Sequence, residues 1–367
     1  MKISRFTNHL IQQCCIHSVP QCSYKPPHID YSLSRSIIYS SQFPSEELSN
    51  QILVNYDKDR TNLRKHVRKL DEAVKLTMSA IRTSGRLVIP IGSYASKLYT
   101  TSSDVDLVLM PVVSDNELSL FQSRFQTHFP FRRKYMHDVR SALAKRGVAK
   151  YDEIQEFYSA RIPIVRYKTR SGINVDIQFG HIAPIRHSLF LKTAVECDER
   201  VKVVIHWLAN RMVGQGILDS ARGLFSRYHV NFLVTHFLQA MPNPVIPQLL
   251  EVSPVLDPSH AWSRIANFLM KKNSLYISET SENDQDVAKL ILQLVDYFSQ
   301  IDYTQHALHS SGVKLPRKWS GNNNLELVDA YFTDPTCRVA AGAVLLKSFF
   351  VKLRKMMEEE NFEQILS

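Results

Sequence analysis

Apolar residues recur at two different periods along this chain of 367 residues. Leu63, Val67, Leu70, Val74, Met78 and Ile81 fall three or four apart, which predicts one apolar helix face. Ser45 ahead of Glu46-Glu47 marks the start of an earlier helix, so residues 45–83 read as two helices. The period then shortens. Leu87-Val88-Ile89-Pro90-Ile91 is an apolar run that ends at Gly92-Ser93 and reads as a strand, and Val105 to Val113 reads as a second. Successive strand residues point to opposite faces, so Asp104 and Asp106 share one face while Val105, Leu107 and Leu109 turn to a core. Residues 114–150 look helical and basic. Ala160 to Tyr167 reads as a strand, and Thr169-Arg170-Ser171-Gly172 as a turn. Ile173-Asn174-Val175-Asp176-Ile177-Gln178-Phe179 alternates apolar with polar, which makes another strand with Asp176 on its polar face. From Ile185 onward the spacing is helical, over 200–212, 228–240, 261–271, 286–298 and 339–357, with a break at Met241-Pro242-Asn243-Pro244.

This pattern is α+β: a mixed-sheet unit over residues 75–185, and a mainly helical unit built from 45–74 and 186–367. The length fits two domains better than one core. The apolar share of 44% and charged share of 22% are those of a globular protein. No apolar run reaches the roughly 18 residues that span a bilayer, so no membrane partner is expected. The net charge of +10 favours a polyanionic partner. Five cysteines, Cys14, Cys15, Cys22, Cys197 and Cys337, are an odd number with no C-x-x-C pair, which argues against a disulfide framework and a structural zinc site. Residues 1–44 read as a flexible tail, rich in Ser, Pro and His and without an acidic residue before Asp30. That composition is also how a mitochondrial transit peptide reads. Cytoplasm is the expected compartment, with the mitochondrion as the alternative.

Asp104 and Asp106 carry the candidate chemistry. Like charges about 5 Å apart cost roughly 3 kcal/mol at an effective dielectric near 20, and a divalent cation removes that cost. Asp176 on a neighbouring strand supplies a third carboxylate, enough to hold two Mg²⁺ (or Mn²⁺) ions. The Gly92-Ser93 turn offers backbone N–H groups and a hydroxyl suited to phosphate oxygens. A phosphate grip beside a paired-carboxylate metal site points to nucleotidyl transfer. Lys58, Arg60, Arg64, Lys65, Arg68 and Lys69 crowd the helices before it, either as a solvated face or as a phosphate-contacting surface.

From Gly92-Ser93 through Asp104-Val105-Asp106-Leu107 the chain resembles the DNA-polymerase-β-like nucleotidyltransferases. Within them it resembles the cytoplasmic, germline-type poly(A) RNA polymerases, which are close to the terminal uridylyltransferases. Val175 to Phe179 with Ile185-Arg186-His187-Ser188 is similar to the family's third-Asp strand and its Ile-Arg-Asn-Thr segment. Asp219 to Tyr228, running on to His236-Phe237-Leu238-Gln239, matches its Gly-Thr-Leu-Ser-Ser-Tyr helix. Leu327 to Phe332 echoes its acidic-Pro-Phe loop. The resemblance implies a mixed-sheet catalytic domain with a helical poly(A)-polymerase-associated domain. It implies transfer of AMP from ATP to an RNA 3′ end, with Asp104, Asp106 and Asp176 as catalytic metal ligands. Gly92, Ser93, His187, Ser188, Ser226, Arg227 and Tyr228 would bind nucleotide, Tyr228 by stacking on the base.

The chain departs from the family at His187 and Ser188, which stand for Asn and Thr. Aligned without gaps, the family's phosphate-binding Lys falls on Ala209 and its Trp on Arg211. A gap pairs that Trp with Trp207 and places Ile205 at the Lys position. Arg227 is a candidate to restore the missing charge. Residues 332–340 hold no His, which leans toward adenylate over uridylate. With no RNA-reading module visible, target choice falls to a partner RNA-binding protein. Two other readings stay open: a weak or inactive homologue acting as a scaffold in an RNA-regulatory complex, and a terminal uridylyltransferase.

Overall fold

The computed structural model describes residues 29–40, 43–83, 85–317, 323–332, 337 and 339–366. Three helices, α1 (Ser32–Ile38), α2 (Ser45–Asp59) and α3 (Leu63–Ile81), lead into β1 (Arg86–Ile91), α4 (Gly92–Ser96) and β2 (Val105–Pro111). The basic stretch forms α5 (Asp115–Thr127) and α6 (Phe129–Lys145), followed by β3 (Gln155–Phe157), β4 (Ile164–Lys168) and β5 (Asn174–Phe179). The helical region comprises α7 (Ala183–Cys197), α8 (Arg200–Gly214), α9 (Arg227–Ala240), α10 (Leu249–Val252), α11 (Trp262–Met270) and α12 (Val287–Gln300). A small sheet of β6 (His306–His309), β7 (Lys314–Pro316) and β8 (Leu327–Val328) precedes α13 (Gly342–Glu358) and α14 (Phe362–Leu366).

The main sheet has the order β1-β2-β5-β4-β3. β2 and β5 run parallel, while the β1–β2, β5–β4 and β4–β3 pairs are antiparallel. Strand alternation divides its two faces. Val88, Val105, Leu107, Leu109, Val175, Ile177 and Phe179 pack against Leu70, Ala73 and Val74 of α3 and Met136, Val139 and Leu143 of α6. Ile89, Ile91, Val108 and Met110, on the opposite face, join the core of the helical region with Ile185 and Leu189 of α7. Asp106 lies two residues before Val108 and so on this second face, where the sheet meets the helices.

Most of the elements expected from the pattern are present, with ends shifted by a few residues. Three differences have physical causes. First, residues 29–40 do not belong to a flexible tail. Tyr31 and Ile38 are buried against the helical core, and the Ser34 N–H donates to the buried Asp296 Oδ2 at 3.0 Å. Arg354 Nη1 reaches Asp296 Oδ1 at 2.7 Å. Residues 1–28 and 41–42 lie outside the described residues. Second, the small sheet sits inside a region read as helical. Its strands are two to four residues long, too short to show a period of two. Third, residues 92–96 are helical rather than a plain turn.

If α1 is docked as described, Tyr31→Ala and Ile38→Ala should each lower unfolding stability by about 2–4 kcal/mol in denaturant titrations. A solvated tail would give no change.

Candidate active site

Gly92 is the first residue of α4 and has φ +64°, in the left-handed region that favours glycine. A Cβ at this position would lie 2.8 Å from Asp106 Oδ2. Only glycine therefore lets the turn approach the carboxylate this closely. The Gly92 N–H donates to Ser188 Oγ at 2.9 Å, and the Ser188 hydroxyl donates to the Pro184 carbonyl at 2.6 Å. Two further contacts hold α4. Tyr94 OH donates to Asp71 of α3 at 2.6 Å, and Lys97 Nζ pairs with Glu196 of α7 at 2.7 Å. Ser93 is half-buried beside Gly92.

Asp106 pairs in register with Asp176 across the parallel β2–β5 ladder. Adjacent strands lie about 4.8 Å apart, so both carboxylates rise from neighbouring points on one face. Burial first, then Asp176 and Asp104, push the Asp106 carboxyl up to about 6, against the opposing pull of Arg166. Arg166 of β4 stands in register with Asp176. Its Nε and Nη2 donate to the two Asp176 oxygens, each at 2.6 Å. This bidentate pair is the strong form of a charge-assisted contact. Asp104 is exposed, and its Oδ1 accepts from Asn174 Nδ2 at 3.1 Å. Among the described residues no three His, Cys, Asp or Glu side chains are gathered closely enough to hold a metal. The reason is visible in these contacts, since Asp176 faces Arg166 and Asp104 faces Asn174. Three carboxylates, with Asp106 raised by burial and then by its like-charged neighbours, are by their chemistry oxygen donors of the kind a hard divalent cation takes.

A second cluster surrounds Asp329. His187 Nδ1 lies 2.7 Å from Asp329 Oδ2, which also accepts from Tyr228 OH at 2.9 Å. The Tyr331 N–H donates to Asp329 Oδ1 at 2.9 Å. Burial pushes the Asp329 carboxyl up, yet His187, Tyr331 and Tyr228 together hold it below the usual value. The His187 and Tyr228 rings are 4.8 Å apart, and Phe332 stands edge-on to both. His187 and Ser188 are consecutive on α7. One therefore faces Asp329 and Tyr228 while the other braces Gly92, which ties the two clusters together.

Ser226 and Arg227 stand apart from both clusters. Ser226 caps α9, its N–H donating to His229 Nδ1 at 2.8 Å. Arg227 is exposed and lines a cavity of about 190 Å³ with Arg60, Lys97, Lys202, Ile205, His206 and Asn210. Ala209 is fully buried, whereas Ile205 lines this cavity. Trp207 and Arg211 instead bind the C-terminal helix, both donating to the Ile365 carbonyl, at 3.1 and 2.8 Å. Sequence reasoning missed Arg166, Asn174 and Asp329. Arg166 lies within the strand read over Ala160 to Tyr167, but only the register sets it opposite Asp176.

A parallel strand pair carrying in-register carboxylates, next to a glycine turn and backed by a helical domain, is the arrangement of the nucleotidyltransferase fold. The central palm domain of the mitochondrial-like poly(A) RNA polymerases matches residues 46–196. The chain is 27% identical over 237 residues to the poly(A) RNA polymerase GLD2 of Xenopus tropicalis, which covers 62% of this chain and 41% of that protein. It thus spans about two fifths of the length of such curated relatives. The structure of the GLD-2/RNP-8 complex superposes with a TM-score of 0.67 at 18% identity, covering 88% of this chain and 98% of that one. The Cid1 poly(U) polymerase superposes with a TM-score of 0.64 at 16% identity, covering 86% and 95%. The chain is thus similar in sequence to GLD2-type poly(A) RNA polymerases and shares its fold with them and with a poly(U) polymerase.

The raised Asp106 gives a test of the site's electrostatics. Its carboxyl titrates higher in the folded chain than in the unfolded one, so its contribution to stability is full below about pH 4 and is lost as pH rises through about 6. With divalent cations chelated, Asp106→Asn should stabilise the protein by about 1–3 kcal/mol at pH 8 and far less at pH 4. Thermal melts at the two pH values read this directly, and equal shifts at both would count against it.

Proposed function

We propose that this protein extends RNA 3′ ends without a template, transferring AMP from ATP to the terminal 3′-hydroxyl and releasing pyrophosphate. The observation that carries the reading is the register of Asp106 with Asp176 beside Gly92. Asp104, Asp106 and Asp176 are the residues that would hold Mg²⁺ or Mn²⁺, which when bound lowers the pKa of the attacking hydroxyl and neutralises the triphosphate. The protein's own groups do the positioning. Gly92 lets phosphate oxygens approach the backbone, and the Ser93 hydroxyl offers them a donor. Arg166 orients Asp176 through its bidentate pair. Tyr228, His187 and Ser188 form the nucleotide side of the cleft, with the Tyr228 ring as the stacking surface, an interaction worth about 1–3 kcal/mol per base. Ser226 sets the start of α9, and so the position of Arg227, which supplies positive charge to the cavity that Ile205 lines.

Target choice is assigned to a partner RNA-binding protein. The chain superposes on GLD-2 from a complex with RNP-8, and no RNA-reading module is visible in its own sequence. No described helix is long and apolar enough to cross a membrane. The cytoplasm is the proposed compartment, with the mitochondrion as the alternative. Imaging the tagged chain with and without residues 1–44 decides between them, and mitochondrial signal that vanishes on truncation would reverse the choice.

A second reading has a specific observation behind it. Arg166 satisfies both oxygens of Asp176, and no lysine stands at position 205 or 209, as in a weak or inactive homologue that serves as a scaffold. Primer extension of oligo(A) RNA with each nucleoside triphosphate separates the readings. ATP-dependent lengthening is expected. Asp106→Asn and Asp176→Asn should each reduce it by at least about a hundredfold, and Arg227→Ala should raise the KM for ATP about tenfold through removal of a charge-assisted hydrogen bond. Lengthening with UTP alone would make the protein a uridylyltransferase. No lengthening, even with the partner present, would favour the scaffold.

A further inference from the structure

We infer that the corner between α2 and α3, together with the exposed stripe of α3 that follows it, binds the phosphodiester backbone of single-stranded RNA on its way to the carboxylates. This deepens the reading above and rests on it. Arg64, Arg68 and Lys75 sit at i, i+4 and i+11, so they share one side of α3, turned away from the buried Leu70, Ala73 and Val74. At 1.5 Å per residue the stripe is about 16 Å long. Lys65 and Lys69 flank it.

The arrangement costs the isolated helix stability. Arg64–Arg68 and Lys65–Lys69 are like-charge pairs at i,i+4, which repel on an isolated helix. Exposed Glu72, four residues after Arg68, offsets part of this charge, while the other nearby acids are engaged elsewhere. Asp59 is engaged by His206 at 2.9 Å, and Asp71 by Tyr94 at 2.6 Å and Lys272 at 3.1 Å. No ion pair joins Arg64, Lys65, Arg68 or Lys69 to a described residue. A polyanion would remove this repulsion.

The stripe also leads somewhere. One turn before Arg64, Arg60 ends α2 and lines the 190 Å³ cavity with Lys97, Lys202 and Arg227. That volume equals about six waters' share of liquid, enough to accept a phosphate group. The field there is positive. Burial first, then Arg227 and Arg60, hold His206 below the usual imidazole value despite Asp59. The cavity wall, residues 97–102, runs directly from α4 to Asp104. His66 of α3 fixes that same loop, its Nε2 lying 2.8 Å from the Ser103 carbonyl oxygen. The cavity has room for a single phosphate group, whereas the stripe on α3 requires a longer chain of phosphates.

The test uses the full chain with Arg64→Gln/Arg68→Gln/Lys75→Gln combined and, separately, Arg60→Gln. Binding of a fluorescent single-stranded oligo(A) RNA is measured by anisotropy across a salt series, and Mg·ATP affinity is measured in parallel. In the triple variant, the slope of log K against log salt should fall by about 2, close to 0.7 for each phosphate no longer neutralised. RNA affinity at low salt should drop at least tenfold while ATP affinity holds. Arg60→Gln should weaken RNA binding by a smaller factor. Arg64→Lys/Arg68→Lys, which keeps the charge, should retain RNA binding and so excludes misfolding as the cause. Unchanged RNA affinity and slope in the triple variant would overturn the inference. So would loss of ATP affinity with RNA binding intact, which would make the corner a triphosphate site only, and so would failure of the parent chain to bind RNA. RNA binding that responds as expected, without any nucleotide transfer, would support this surface and sink the adenylation reading instead.

Discussion

Two carboxylates forced together by a β-ladder are the constraint on which the rest of this structure depends. The parallel pairing of β2 with β5 places Asp106 opposite Asp176, and neither can move without breaking a strand. Their repulsion is part of what drives the Asp106 carboxyl up to about 6. The fold tolerates this arrangement because the other face of both strands is entirely apolar and packed against α3 and α6. Burial on that face offsets a local electrostatic cost of a few kcal/mol, since each fully buried Val or Leu contributes about 1.5–3 kcal/mol. Arg166, delivered by the next strand, relieves half of the remaining problem by binding Asp176. It leaves Asp106 as the unbalanced group, next to a glycine chosen for closeness.

The helical region is joined to this sheet rather than merely connected to it. Ile89, Ile91, Val108 and Met110 share one apolar cluster with α7 and the helices behind it. Along α7, consecutive residues serve different partners, with His187 on Asp329 and Ser188 on Gly92. A shift of α7 therefore moves the Gly92 turn and the Tyr228 cluster together. The contacts of α4 through Tyr94 to α3 and through Lys97 to α7 add to the same coupling. Opening and closing of the cleft between sheet and helices would have to be absorbed elsewhere, because this junction is packed on both sides.

Much of the site was legible in the sequence because a strand writes its faces into alternation. Asp104, Asp106 and Asp176 needed only a period of two and a bounding Gly-Ser. The partners of those residues were not legible. Arg166 and Asn174 act through inter-strand register, which no single strand's pattern contains. Asp329 belongs to a two-residue strand and the turn after it, too short to carry any period, and its importance comes from burial beneath His187 and Tyr228. Residues 29–40 misled for the opposite reason. Their composition resembles a tail, yet Tyr31 and Ile38 are enough to dock one short helix where α12 offers an apolar surface and Asp296 an acceptor. The Ser188 and Ser226 hydroxyls act in structural hydrogen bonds, to Pro184 and Gly92 and at the α9 cap.

The positive charge near the cleft follows from the packing of α8. One side of that helix is committed to the core through Ala209 and Met212, and to the C-terminal helix through Trp207 and Arg211. The side facing the cavity carries Lys202, Ile205, His206 and Asn210, of which Lys202 is paired with Glu199 and His206 and Asn210 are spent on Asp59. A phosphate brought to this cleft therefore meets little net charge from α8. It meets Arg227 from the first turn of α9, Lys97 from the end of α4, and Arg60 from the α2–α3 corner. These groups come from three different elements, and Lys97 is already committed to Glu196. Their combined field depends on the sheet, α2 and α9 being held in register, so anion binding in this chain reports on the assembly of the whole cleft more than on any one cation.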